Sequence, residues 1–313
     1  MTSYVYICPK CGRPHSADEF RESRFCRHCG KFLTSSHKRV LGGVLENRES
    51  AIDGIENTIE KTYELIQQLD LPSDAQIDSI EVVKQVKEYR NFWKPNRTKV
   101  ILLAESHVFT NEKDFKAECR SSVLDKILLP ENPSYPVKFV RFVYCLGYGE
   151  NDLLTSDVEN NVMGTWQYWR LFSSSVAENK DDLGFERVIK RKTSFMQRLH
   201  NKIDILRTMK RKGVWLLDAS IIGLAGSGLK EYPDIGDRII RICWKNHLEE
   251  MIRELQPQHI IIVGKRVEET LHFELKSLGF PMTVVRQPQG DRRSSRKQLE
   301  KYETCQRMCR KYS

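Results

Sequence analysis

Four cysteines in two pairs carry the plainest chemistry in the chain. Cys8-Pro-Lys-Cys11-Gly and Cys26-Arg-His-Cys29-Gly each set two thiolates on one tight turn, with fourteen residues between the pairs. Two such turns close a tetrahedral site of four thiolates. With all four positions filled by protein, a bound zinc ion would be structural. An iron–sulfur cluster and a redox pair are the alternatives. Lys10, Arg13, Arg21, Arg24, Arg27 and Lys31 make this zinc ribbon basic, which suits DNA phosphates; docking to a protein is the other reading. Among the remaining cysteines, Cys119, Cys145 and Cys243 are expected to be small buried apolar residues. Cys305 and Cys309 share a helix face and are expected to be unpaired. A second kind of chemistry stands directly after apolar runs. Glu105 and His107 follow residues 100–104, and Asp218 ends residues 214–218.

The elements that position these groups are legible in outline. The chain has 313 residues, enough for one large domain plus a small module. Its mean hydropathy is −0.52 and 30% of residues are charged, as in a folded globular protein. No run of about 18 apolar residues offers a membrane span. The opening residues lack the layout of a signal peptide, so a cytoplasmic location is expected. The formal net charge of +9 favours acidic partners, nucleic acid first. Three regions follow: a zinc ribbon over 1–36, a helical connector over 37–95 and an α/β domain over 96–313. In the connector, Ile52, Ile55, Ile59, Tyr63 and Ile66 recur on one helix face, and a second helix follows from Asp78. Apolar runs at 100–104, 137–144, 214–218 and 259–264, with a weaker one at 282–285, alternate with helical stretches such as 186–211 and 237–255. That alternation predicts a central four-stranded, mainly parallel sheet flanked by helices. Ligands of such sheets sit beyond the carboxyl ends of the strands.

Lys99-Val-Ile-Leu-Leu-Ala-Glu-Ser-His-Val108 is similar to a strand ending in Gly-Gln-Asp-Pro-Tyr or Gly-Glu-Ala-Pro-Gly. Gly213-Val-Trp-Leu-Leu-Asp-Ala219 is similar to Gly-Val-Leu-Leu-Leu-Asn-Ala. Residues 255–265 and then Val285-Arg-Gln-Pro-Gln-Gly-Asp-Arg-Arg293 take the places of a further strand and a His-Pro-Ser loop. In order and spacing, residues 93 to 300 resemble the uracil-DNA glycosylase superfamily. The resemblance implies base excision from double-stranded DNA, with no cofactor for the chemistry.

The departures from that pattern shape the expectation. The base-selecting Asn of the family aligns with Asp218. An ionised carboxylate offers only acceptors, so it suits the N4 amino group of cytosine and repels O4 of uracil. A tyrosine that blocks carbon 5 of the base aligns with Val108, which leaves room for a substituent. The family's catalytic Asp aligns with Ser106 and its last-loop His with Gln287. Glu105 is then the carboxylate expected at the sugar, and His107 the group expected to donate to the leaving base. Both also have plain structural readings, a loop cap or salt bridge for Glu105 and a satisfied histidine for His107; Asp218 could likewise cap a helix. The loop with Gln287, Pro288, Gly290, Arg292 and Arg293 would face the minor groove and fill the gap left by a flipped nucleotide. Tyr148, between two glycines, is the preferred stacking partner for the base, ahead of Phe142 and Tyr144; Tyr168 belongs to an aromatic insert with Trp166 and Trp169. From Arg286 to Lys311, nine basic residues face three acidic ones.

The expectation is therefore a monofunctional DNA glycosylase that excises a C5-substituted cytosine and leaves an abasic site. Phage DNA carries modified bases, so phage defence is the setting the resemblance suggests. The alternative is an inactive glycosylase-fold adaptor that binds DNA or RNA. A nucleotide-handling enzyme ranks third, because Gly223-Leu-Ala-Gly-Ser-Gly228 lacks the lysine and spacing of a phosphate loop.

Overall fold

Unbroken apolar runs become strands at the centre of a sheet, because helices cover both of its faces. The computed structural model describes residues 4–7, 14–16, 38–40, 58–128, 135–161, 166–288 and 295–313. The chain divides into two compact units, Met1–Glu60 and Lys61–Ser313. In the first, β1 (Tyr4–Ile7) pairs antiparallel with β2 (Pro14–Ser16) and with β3 (Lys38–Val40). Cys8, Cys11, Cys26 and Cys29 lie outside the described residues, as do Gly290, Arg292 and Arg293.

The second unit holds β4 (Val100–Ala104), β5 (Val214–Asp218), β6 (His259–Val263) and β7 (Met282–Val285), all parallel, in the order β5-β4-β6-β7. Every residue of β4, β5 and β6 is buried. The chain passes from β4 to β5 on one side, then crosses to β6 on the other. The order therefore reverses at β4, and a crevice opens beyond its carboxyl end.

The segment 137–144 corrects the expected strand. It runs through turns, with only an isolated bridge between Glu118 and Lys138. The fourth strand is instead the weaker run, 282–285. Tyr144 explains why no strand is needed at the β5 edge. Its hydroxyl accepts from the Leu216 backbone N–H at 2.9 Å, so a side chain satisfies an edge donor.

Helix α1 (Ile80–Phe92) begins where the Ser79 hydroxyl accepts from Val82 N–H. Its buried face carries Val82, Val83, Val86, Tyr89 and Arg90. Trp215 of β5 donates its indole N–H to the Arg90 carbonyl at 3.0 Å. The helix read as part of a connector is thus built into the α/β unit. Helix α2 (Trp166–Val176) packs against α3 (Phe195–Lys212) and against the terminal α6 (Ser295–Tyr312). Cys305 and Cys309 of α6 are fully buried, as are Cys119, Cys145 and Cys243. Helix α4 (Pro233–Cys243) continues through a π turn, Trp244–Leu248, and α5 (Lys265–Thr270) follows β6.

Candidate active site

Parallel register sets the site. Ala104 stands opposite Asp218, so the residues that follow β4 and the last residue of β5 are neighbours. The two departing chains stay joined. Ala219 N–H donates to the Ala104 carbonyl, Ser220 N–H to that of Glu105, and Phe109 N–H to that of Ala225. Gly223 permits this closeness, since a Cβ there would fall 2.4 Å from the Phe109 nitrogen. Between these loops lies a cavity of about 390 Å³. That size suits a small-molecule group. Glu105, Ser106, His107, Val108, Asp218 and Gln287 all line it, with Phe142, Tyr168, Arg141, Lys230 and Arg266 beside them.

The floor is a buried charge network. Arg90 Nη2 donates to Asp218 Oδ2 at 2.8 Å, with side-chain exposures of 7% and 2%. Burying two charges costs more than an isolated pair returns unless their remaining valences are met. Neighbours meet part of that demand. The Arg90 guanidinium lies 5.3 Å from the centre of the Phe142 ring. His107 Nδ1 approaches the same Asp218 oxygen at 3.9 Å, beyond hydrogen-bond distance. Both contacts use Oδ2, and Asp218 still lines the cavity.

Asp78 anchors His107 from behind. Its Oδ1 accepts from Thr110 N–H at 2.8 Å and its Oδ2 from Gly223 N–H at 2.5 Å. His107 Nε2 lies 3.1 Å from Oδ2. An acceptor already taken by two N–H groups assigns the histidine proton to Nε2. Nδ1 is left buried with no hydrogen-bond partner among the described residues. The ring has no exposed surface. The Asp218 side chain keeps 2% of its surface open, whereas the imidazole keeps none.

Glu105 stands nearer the mouth, with its side chain 17% exposed. Arg266 Nη1 donates to it at 2.9 Å, while Nε holds Asp237 and Nη2 the Pro233 carbonyl. This triple grip fixes the guanidinium and so orients the carboxylate. Ser106 fastens the loop: its hydroxyl donates to the His107 carbonyl and accepts from Leu224 N–H. Val108 is half-buried and pairs in an isolated bridge with Ala225. Gln287 reaches the cavity beside Gly264. The Pro288 carbonyl accepts from Lys301 Nζ at 3.1 Å.

Tyr148 does not line the cavity. It is buried edge-on to Phe139, with ring centres 6.3 Å apart. The aromatic walls are Phe142 and Tyr168, and burial pushes the Tyr168 phenol well up. Cations surround the mouth. Arg141 is engaged by Asp114 at 2.7 Å, while Lys230 is exposed and makes no ion pair among the described residues.

The residues missed from sequence are Arg90, Asp78, Arg141, Lys230 and Arg266. Arg90 carried a signal. It falls four after Val86 and seven after Val83, on the apolar face of an amphipathic helix. A charge there must find a buried partner.

Among the described residues, no three His, Cys, Asp or Glu side chains group to hold a metal ion. No helix among them is long and apolar enough to cross a membrane. Comparison of the chain with protein-family models and with curated proteins gives no match.

Proposed function

We propose that the strand-end cavity takes a flipped, C5-substituted cytosine and that the protein is a monofunctional DNA glycosylase of the uracil-DNA glycosylase kind. The observation that carries this reading is Asp218 at the cavity floor, with Oδ2 held by buried Arg90. Beside a guanidinium the carboxylate acts as an acceptor, so its other oxygen suits an exocyclic amino group and repels a carbonyl. Leaving such a group unpaired costs about 1–3 kcal/mol, and more when it is charged. Val108 leaves space where a substituent on carbon 5 would point. Phe142 and Tyr168 supply apolar walls for the ring.

Glu105 is the group placed to orient a water toward C1′ of the sugar. As the C1′–N bond breaks, its electron pair leaves with the base. Water oxygen bonds to C1′, one water proton passes to Glu105, and the departing base is protonated from solvent. The products are a free base and an abasic site. The Glu105 charge also stabilises the oxocarbenium character that builds on the sugar. Arg90 holds Asp218, and His107, hydrogen-bonded to Asp78, packs beside it and does not touch the base. Lys230 and Arg141 would meet backbone phosphates, which set register and orientation. Cys8, Cys11, Cys26 and Cys29 would hold a structural zinc ion, and Arg292 and Arg293 would act at the gap in the duplex. Phage DNA is the proposed source of such bases.

A panel of duplex oligonucleotides carrying uracil, cytosine or a C5-substituted cytosine, each followed by alkaline cleavage, tests the reading. Strand breaks from a substituted cytosine, with none from uracil, are expected. No abasic product from any member, by protein with an intact fold, overturns the enzyme reading and leaves an adaptor.

A further inference from the structure

A second cavity, of about 450 Å³, lies on the other side of helix α2. Trp166, Trp169 and Arg170 stand at i, i+3 and i+4 and line it, whereas Tyr168 belongs to the strand-end cavity. Glu150 lies at its base, 2% exposed, between Arg198 and Lys202. Arg198 grips both carboxylate oxygens at 2.7 Å, and Lys202 Nζ adds a third contact at 2.7 Å. Burial would raise the Glu150 pKa, but the hydrogen bond from Arg198 and the charge of Lys202 hold it low. Burial pushes the Lys202 ammonium down, against the pull of Glu150. Two buried cations therefore share one anion.

The remaining charge has the same sign. Arg170 stacks over the Trp166 ring at 4.3 Å and over Phe185 at 4.8 Å. Its Nε is buried with no hydrogen-bond partner, and it makes no ion pair among the described residues. Lys190 and Arg191 are exposed at the rim. Five cationic side chains thus face one carboxylate around a cavity with indole walls. Glu150 meets the buried cations Arg198 and Lys202, whereas nothing among the described residues meets the buried Nε of Arg170, and a bound anion would meet it. A small inorganic anion would meet the cations but add nothing to the aromatic lining, which Arg170 and Lys202 cover only in part. A ligand that joins a planar ring to a phosphate satisfies both.

We propose that this cavity is a nucleotide site, with the base against Trp166 and the phosphate at Arg170, Lys190 and Arg191. It does not depend on the reading of the strand-end cavity. The nucleotide has two sources, a free nucleoside monophosphate or one residue of a single strand.

Calorimetric titration of the full chain tests this with three probes: deoxynucleoside monophosphates, the matching nucleosides, and a short single-stranded oligonucleotide. The expected result is one nucleotide per chain, bound at least tenfold more weakly by the Lys190→Glu/Arg191→Glu double variant and by Trp166→Leu. Val108→Phe, which narrows the strand-end cavity, should leave that binding unchanged. Both rim residues are exposed, so the double variant keeps the fold. Binding of the oligonucleotide alone, with the same dependence on the variants, supports the site and assigns the source to a strand. Nucleosides binding as tightly as nucleotides, binding that survives the double variant, binding lost in Val108→Phe, or no binding by any probe overturns the proposal.

Discussion

Arg90 Nη2 donates to Asp218 Oδ2 at 2.8 Å across 128 residues of sequence, and both side chains are buried. Removing one partner strands the other charge. Arg90→Met is expected to cost about 3–5 kcal/mol of unfolding free energy, read by urea denaturation. The double variant Arg90→Met/Asp218→Leu should regain most of that loss. Equal losses in the single and double variants would mean that the pair is not the origin of the effect.

Glu105 and Arg266 make a different kind of pair, half in solvent. Glu105→Gln keeps shape and removes charge. On the active oligonucleotide it should lower single-turnover base release by about 10²–10⁴-fold, the range for a positioned acid–base group. The oligonucleotide Kd should hold steady. Arg266→Met should lower the rate less, because the carboxylate remains but loses its tether to the Asp237 side.

Gly223 is the steric hinge of the cavity wall. An added Cβ would meet the Phe109 nitrogen at 2.4 Å and the Val108 carbonyl carbon at 2.7 Å, both of them backbone. Gly223→Ala should therefore destabilise the fold by about 1–3 kcal/mol. Hydrogen exchange should quicken at the Phe109 amide, which donates to Ala225. Exchange unchanged at that amide would show that the loops move together to absorb the methyl.

His247, in the π turn after α4, supplies a pH dependence. Burial, then the charges of Arg90 and Lys87, push its pKa down to about 4. The unfolded chain takes up a proton near pH 6.5 that the folded chain refuses. Stability should thus fall as pH drops from about 6.5 toward 4 and lose nothing further to this group below that. Each unit of separation carries about 1.4 kcal/mol, so the whole window is worth roughly 3 kcal/mol. Denaturation midpoints measured across that window should fall less steeply in His247→Gln than in the parent chain.

The apolar runs at 100–104, 214–218 and 259–263 were legible as strands because burial on both faces removes any need for alternation. The run at 137–144 is interrupted by Lys138 and Arg141, and with Val137 exposed it is only partly buried; it turns instead of pairing. Burial demands apolar side chains and does not dictate where backbone groups bond, and Tyr144 meets the sheet edge with its hydroxyl. Tyr148 was misplaced for a related reason: flanking glycines permit a close approach without saying to what. Glu105, Ser106, Val108, Asp218 and Gln287 were legible as neighbours because each follows or ends a strand of one parallel sheet, and such ends share a rim.

Sequence alone determined which residues could stand at the strand ends, and that a pair of C-x-x-C turns precedes them. Tertiary structure decided what those residues can do. It placed Arg90 against Asp218, sealed the His107 ring between Asp78 and Asp218, and tied Glu105 to Arg266. Periodicity reports which side of an element is buried, and that is local to the chain. The reach of a buried group depends on partners that lie 29 to 161 residues away here, and only folding selects them.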